Sequence, residues 1–350
     1  MNERLREVDH IEILTLMDNY VDVILDSTKI VRRANLAGNG EIFRDTLVGE
    51  HGLSLLVTAR AGGRKHTILF DTGYSAVGVP HNMEHLGVEP GGIEAIVLSH
   101  GHMDHLGSLH GLLEKMARPI PVLVHPEAFV SPRYLTRKDG GRDRFPAMLD
   151  RGEIETRGGQ IRETAAPTLI CEDMILVSGE VERTTSFERG MPNAAVERDG
   201  KMEKDPIRDD QALFLLLKGK GLVVIGGCSH AGIVNTVLYG KKLTGARTVH
   251  AVLGGFHLAG PLFEPIIGAQ SGVFPMPSPF HLCSAAWDRR TRLPLPRRNE
   301  HRLCIGLDTS TVACFKNLSE KLGMPYQNLI NLYLRDCALN QRKLKLKRAS

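Results

Sequence analysis

No stretch of the 350-residue chain approaches the roughly 20 apolar residues that a membrane-spanning helix needs, so no span is expected. Paired cysteines are missing as well. The six Cys, at 171, 228, 283, 304, 314 and 337, never stand in a C-x-x-C spacing. The opening residues MNERLREVDH are charged from the third onward and lack the apolar core of a secretory leader. The scattered thiols therefore read as reduced side chains, and a cytoplasmic protein is expected. Collagen-like, coiled-coil and wholly disordered compositions are excluded too. With 42% hydrophobic and 24% charged residues, the chain has the make-up of one large globular domain or two smaller ones.

Charge is present but unevenly spread. Residues 281–350 carry 14 basic and 5 acidic side chains, whereas residues 1–280 carry 30 and 35. Such a change of sign fits two modules with different partners. The basic end either meets an anionic surface or is a solvated tail.

Short apolar runs alternate with Gly-rich turns over the first 260 residues. Residues 11–17 and 21–25 predict two strands around Asp18-Asn19. Residues 53–59 and 66–70 predict a hairpin through Gly62-Gly63. A short helix is expected over 80–86, with Pro80 in its first turn and Gly87 just past its end. Residues 93–98 have the length of a buried strand, and Leu109, Leu112, Leu113 and Met116 then fall at helical spacing. Further strands are expected at 121–124, 174–177, 213–217, 222–225 and 249–253. Strands in runs with interspersed helices argue for an α/β sandwich. Residues 268–300, with five Pro and clustered Arg, read as a linker or a divergent end of the sandwich. Beyond them come one short strand and two amphipathic helices, a core too small to stand alone.

The sharpest motif is Ser99-His100-Gly101-His102-Met103-Asp104-His105, directly after a predicted buried strand. Neutral imidazole and carboxylate suit zinc and similar borderline cations, manganese and iron among them. His-x-His places two rings on one side of an extended loop, while Asp104 and His105 face the other, which suits a second metal. Two metals about 3.5–4 Å apart clamp a phosphate-like or carbonyl oxygen and lower the pKa of bound water. Asp104 would orient the nucleophile as well as bind metal.

This H-x-H-x-D-H spacing resembles that of the metallo-β-lactamase superfamily, and Phe70-Asp71-Thr72-Gly73 is similar to its earlier strand-end motif. Gly179-Glu180-Val181-Glu182-Arg183, Asp209-Asp210-Gln211, Gly227-Cys228-Ser229-His230 and Gly254-Gly255-Phe256-His257-Leu258 resemble one branch. That branch is named for 7,8-dihydropterin-6-methyl-4-(β-D-ribofuranosyl)aminobenzene-5'-phosphate synthase. The resemblance implies an αββα metallo-β-lactamase sandwich over residues 1–267, holding two divalent cations, zinc above all. It implies a hydrolase or transferase acting on a phosphorylated or diphosphate-containing small molecule. It makes His100, His102, Asp104, His105 and His230 metal ligands and Asp71 the group that orients them. Cys228 is either a thiolate near the metals or a small buried residue, and His257 is either a ligand or a substrate contact. Arg183 and Asp210 are candidates for substrate binding; a surface role and a turn are the respective alternatives. His125 reads as a structural histidine, and His81, His85 and His110 as surface residues. The family's terminal His-Cys-Thr-Gly motif has only a distant echo here in Phe280-His281-Leu282-Cys283-Ser284, which would leave the sandwich truncated.

Residues 301–350 resemble CopG-type ribbon-helix-helix antitoxin repressors through Ile305-Gly306-Leu307-Asp308 and Leu322-Gly323-Met324-Pro325. Such a module implies a homodimer. Arg302 would be its base-reading side chain, and the tail from Arg342 to Arg348 would supply phosphate contacts. The alternative to an enzyme is therefore a DNA-binding regulator with a vestigial or ligand-sensing metallo-domain.

Overall fold

Along Ser54–Ala61 every second side chain, Leu55, Val57 and Ala59, is buried in one core, while Leu56 between them packs on the other side of the sheet. Ala212–Leu217 repeats the pattern, with Leu213 and Leu215 facing that same core and Phe214 turned away. A strand with period-two alternation and both faces apolar belongs in the middle of a layered structure. Two six-stranded sheets result, face to face. A computed structural model describes residues 4–24, 27–29, 31–38, 40–256 and 316–317. The chain divides into two units, residues 1–286 and 287–350, and all but two of the described residues belong to the first.

In spatial order the first sheet is Gly159–Glu163, Ile120–Val124, Ala95–Val97, Arg64–Phe70, Ser54–Ala61 and His10–Met17. Its first four strands are parallel and its last two antiparallel. The second sheet is Thr168–Ile170, Ile175–Val177, Ala212–Leu217, Gly221–Gly226 and Val249–Gly254, with Glu7–Val8 alongside Ala212–Leu217. Helices α1 (Gly78–His85), α2 (Leu109–Met116) and α3 (Arg151–Thr156) cover the outer face of the first sheet through Val79, Met83, Leu109, Leu112, Leu113 and Ile154. Helix α4 (Ile233–Thr244) covers the second through Val237 and Tyr239. This is the expected αββα sandwich. No helix among the described residues is long and apolar enough to cross a membrane.

The hairpin turns through Gly62 and Gly63 at φ of +54° and +76°, as a two-residue primed turn requires. Residues 21–24, by contrast, do not form the second strand expected there. The Asp22 carboxylate accepts the Ile24 amide at 3.0 Å and turns the chain, while the edge of His10–Met17 pairs with Ser54–Ala61 instead. The linker expected over residues 268–300 lies outside the described residues, as does the strand-helix-helix module apart from residues 316–317, which are helical.

The sequence reading missed a four-stranded antiparallel sheet of Arg142–Arg144, Arg133–Thr136, Ala194–Arg198 and Lys201–Lys204. Its strands are largely charged and carry little of the apolar alternation that betrays the others. It delivers Arg133 and Phe145 to the histidine loop.

Glu188 is buried, and its carboxylate accepts the Val234 and Asn235 amides at 2.9 and 2.8 Å, capping α4 from a distant loop. Glu188→Ala would orphan these donors and remove a negative charge from a helix N-terminus. Chemical denaturation should show a loss of about 1–2 kcal/mol.

Candidate metal centre

Asp71 and the loop Ser99–His105 leave the ends of adjacent parallel strands, where open α/β sheets place their sites. Asp71 sits at φ +60° and is fully buried. Its Oδ1 accepts the Ser99 amide at 2.7 Å, and its Oδ2 accepts Ser99 Oγ at 2.7 Å and His105 Nδ1 at 2.6 Å. Ser99 Oγ, already donating to Asp71, accepts from His100 Nδ1 at 2.9 Å. One carboxylate thus fixes the proton of both imidazoles on Nδ1 and leaves both Nε2 lone pairs directed into the site.

His100 Nε2 lies 3.1 Å from His102 Nδ1. The His102 ring is held flat against Phe145, with centroids 4.7 Å apart and planes 2° from parallel. From the second sheet, the loop after Gly221–Gly226 brings Cys228 and His230. Cys228 Sγ is 3.2 Å from His105 Nε2, and the His230 ring is 4.9 Å from that of His100. Gly227 allows this approach, since a Cβ there would lie 2.2 Å from Ser99 Oγ.

The site's charges are unbalanced. Burial pushes His102 down to about 4 and, with the neighbouring rings, holds His100 well below the usual histidine range. Burial opposes charge on His105 as well, but Asp71 and Asp104 outweigh it and raise its basicity well above normal. Asp104 is held far below the usual carboxylate range because His105, His102 and His51 overcome its burial. Burial raises the Cys228 thiol to about 11.

These residues fit a divalent cation. Donor atoms of His100, Asp104 and His105 lie within 4.8 Å of one another, as do those of His100, Cys228 and His230. The 3.1 Å between the facing nitrogens of His100 and His102 is close to the spacing of two neighbouring ligands about 2.0–2.1 Å from one zinc. A buried set of imidazoles with carboxylate and thiol is the chemistry borderline cations select, a cation taking the place of the proton that Asp71 and Asp104 favour on His105.

The other expected site residues are placed as follows. Asp210 is buried, accepts the Ala231 amide at 2.7 Å, and is raised by burial to about 7. Arg183 turns its guanidinium to the carbonyl oxygens of Pro206 and Ile207. His125 accepts the Glu127 amide at 3.1 Å, a local structural contact. His257 and Arg302 lie outside the described residues.

Sequence reasoning missed three groups. His51, 59% exposed, has Nε2 at 3.6 Å from Asp104 Oδ2, at the mouth of the site. Phe145 forms a wall. Buried Arg133 grips Asp209 through two nitrogens at 2.7 and 3.1 Å, and Asp209 Oδ2 also accepts the Gly101 amide at 2.7 Å, between two of the candidate ligands. Asp209 had a signal in the Asp-Asp-Gln motif. Arg133 had none, because its strand was not foreseen.

The profile of the Metallo-beta-lactamase superfamily matches residues 48–171. The 7,8-dihydropterin-6-methyl-4-(beta-D-ribofuranosyl)-aminobenzene-5'-phosphate synthase of Methanocaldococcus jannaschii is 31% identical over 256 residues, 72% of this chain and 79% of that protein. An uncharacterized protein of the same organism, MJ0448, is 37% identical over 213 residues, 60% of this chain and 74% of that protein. The crystal structure of Tm1679, described as a metal-dependent hydrolase of the beta-lactamase superfamily, superposes with a TM-score of 0.53 at 27% identity. It covers 75% of this chain and 84% of that one.

Proposed function

The chain belongs to the metallo-β-lactamase superfamily, and from that premise we propose that it is a metal-dependent hydrolase or transferase acting on a phosphorylated or diphosphate-containing small molecule. The observation that carries this reading is the buried convergence of six donor side chains: His100 lies within 4.8 Å, donor to donor, of Asp104 and His105 and likewise of Cys228 and His230, and its Nε2 is 3.1 Å from His102 Nδ1. Six donors exceed the four that one tetrahedral zinc takes and support a two-cation centre, with zinc the first choice for imidazole, carboxylate and thiol donors. Bound cations would supply Lewis-acid polarisation of a phosphoryl oxygen and an activated water. The phosphorylated substrate class is supported by the printed name of the Methanocaldococcus relative.

The chain's own residues have defined parts in this reading. His100, His102, Asp104, His105 and His230 hold the cations, and Asp71 fixes the tautomers of His100 and His105. Asp104, kept ionised by the rings around it, orients the attacking group by accepting its hydrogen bond. Phe145 holds the His102 ring and excludes water from its outer face.

Metal analysis by mass spectrometry of the chain and its His102→Ala variant tests this, alongside phosphate and diphosphate release from a panel of phosphoesters. The variant should carry at least one metal equivalent fewer and lose turnover. Equal metal content in the two proteins would overturn the reading. Transfer of an organic group with diphosphate release would assign the transferase, and uptake of water with phosphate release the hydrolase.

A further inference from the structure

On the outer surface of α1, His81 and His85 stand one turn apart on a shared face. Their ring centroids are 4.2 Å apart, and the segment that precedes the strand Ser54–Ala61 brings Asp45 over them. His85 Nδ1 is 3.0 Å from the His81 carbonyl oxygen. A carbonyl only accepts, so Nδ1 carries the ring proton, and Nε2 of the neutral ring keeps a lone pair. That nitrogen faces Asp45 Oδ2 at 3.5 Å, and Asp45 Oδ1 lies 3.9 Å from His81 Nε2. A lone pair against a carboxylate oxygen is repulsive until a proton or a metal cation stands between them.

We propose that Asp45, His81 and His85 form a second divalent-cation site, distinct from the buried centre, that clamps the loop of residues 43–51 onto α1. One donor atom from each residue lies within 4.8 Å of the others, a set of two imidazoles and a carboxylate suited to zinc. His85 is in the last turn of α1, where the helix dipole favours positive charge. His81 Nε2 now donates to the Thr46 carbonyl at 2.9 Å. Ligation through Nε2 exchanges that hydrogen bond for a metal bond, and the ring proton moves to Nδ1.

The clamp bears on the buried centre through the loop itself. Asn82 of α1 already holds Val48 by both its amide, at 2.9 Å, and its carbonyl, at 2.8 Å. A cation at Asp45 adds a second anchor on the same helix. The segment past those anchors ends at His51, which lies 3.6 Å from Asp104. Occupancy of the surface site therefore restricts where His51 stands at the mouth.

Equilibrium dialysis of the full chain against zinc chloride tests the site, with His81→Ala/His85→Ala and Asp45→Asn as variants. Each variant should bind one zinc fewer than the native chain, at a concentration that saturates the latter. The His102→Ala variant should retain this equivalent, which separates the surface site from the centre. Asp45 is 72% exposed, so its replacement leaves the fold intact should the double variant fail to fold. Equal zinc content in the native chain and Asp45→Asn would overturn the proposal. Zinc should also slow hydrogen exchange of the 46–51 amides in the native chain more than in Asp45→Asn. Identical exchange in the two would overturn the clamp.

Discussion

Asp71→Asn should bind its metal about 10–100-fold more weakly than the native chain, although the substitution changes one atom. Asparagine tolerates the positive φ at this position, so the backbone stays as it is. The substituent that replaces Oδ2 is the decisive part. An amide NH2 there would meet Ser99 Oγ and His105 Nδ1, both of which now donate to that oxygen. His105 would have to take the other tautomer, placing a proton on the Nε2 that faces Cys228 and the site. Ser99 would lose its acceptor and with it the orientation that holds His100. Competition with a chromogenic chelator measures the affinity. Native-like affinity in Asp71→Asn would show that the tautomers are set by something other than this carboxylate.

Arg133→Ala should lower stability by about 3–5 kcal/mol, the range for removing one partner of a buried ion pair. At about 2–4 °C per kcal/mol, the melting temperature should fall by on the order of 10 °C. Arg133 is 4% exposed and Asp209 fully buried, so the abandoned carboxylate has no solvent to turn to. The deficit has a pH signature. Burial alone would raise Asp209, but Arg133 outweighs it and holds the carboxyl below its ordinary 3.8. A depressed acid contributes stability that is fully present above the unfolded value and lost as pH falls through the folded one. In the variant burial acts unopposed and raises Asp209, so the gap between native chain and variant should narrow as pH falls through that raised value and narrow further as the native carboxyl protonates below about pH 4. Urea denaturation from neutrality down through this range checks this. The same variant should bind metal more weakly, because Asp209 also holds the Gly101 amide.

The His100–His105 loop and Asp71 were legible in the sequence because their chemistry is concentrated in short segments that follow apolar strands. The sandwich was legible for a related reason: residues such as Leu55, Val57, Leu213 and Leu215 carry the period of a two-sided sheet. Arg133, Phe145 and His51 were not. Each reaches the site from a segment with no apolar rhythm, and only the tertiary fold aligns it. Glu188 escaped notice for the same reason, since it caps a helix that begins 45 residues later. The strand expected over residues 21–25 does not form over 21–24, where one Asp22 hydrogen bond outweighs a short run of apolar residues.

The buried centre draws its side chains from positions as distant as Asp71 and His230, and the unfolded chain has no counterpart to it. A cation that recognises this arrangement acts as a folding ligand. At a free concentration 100 times its Kd it would add about 2.7 kcal/mol to the stability of the native state. Metal supply would then govern how much folded protein a cell retains, and chelation would act on its lifetime before it acted on its chemistry.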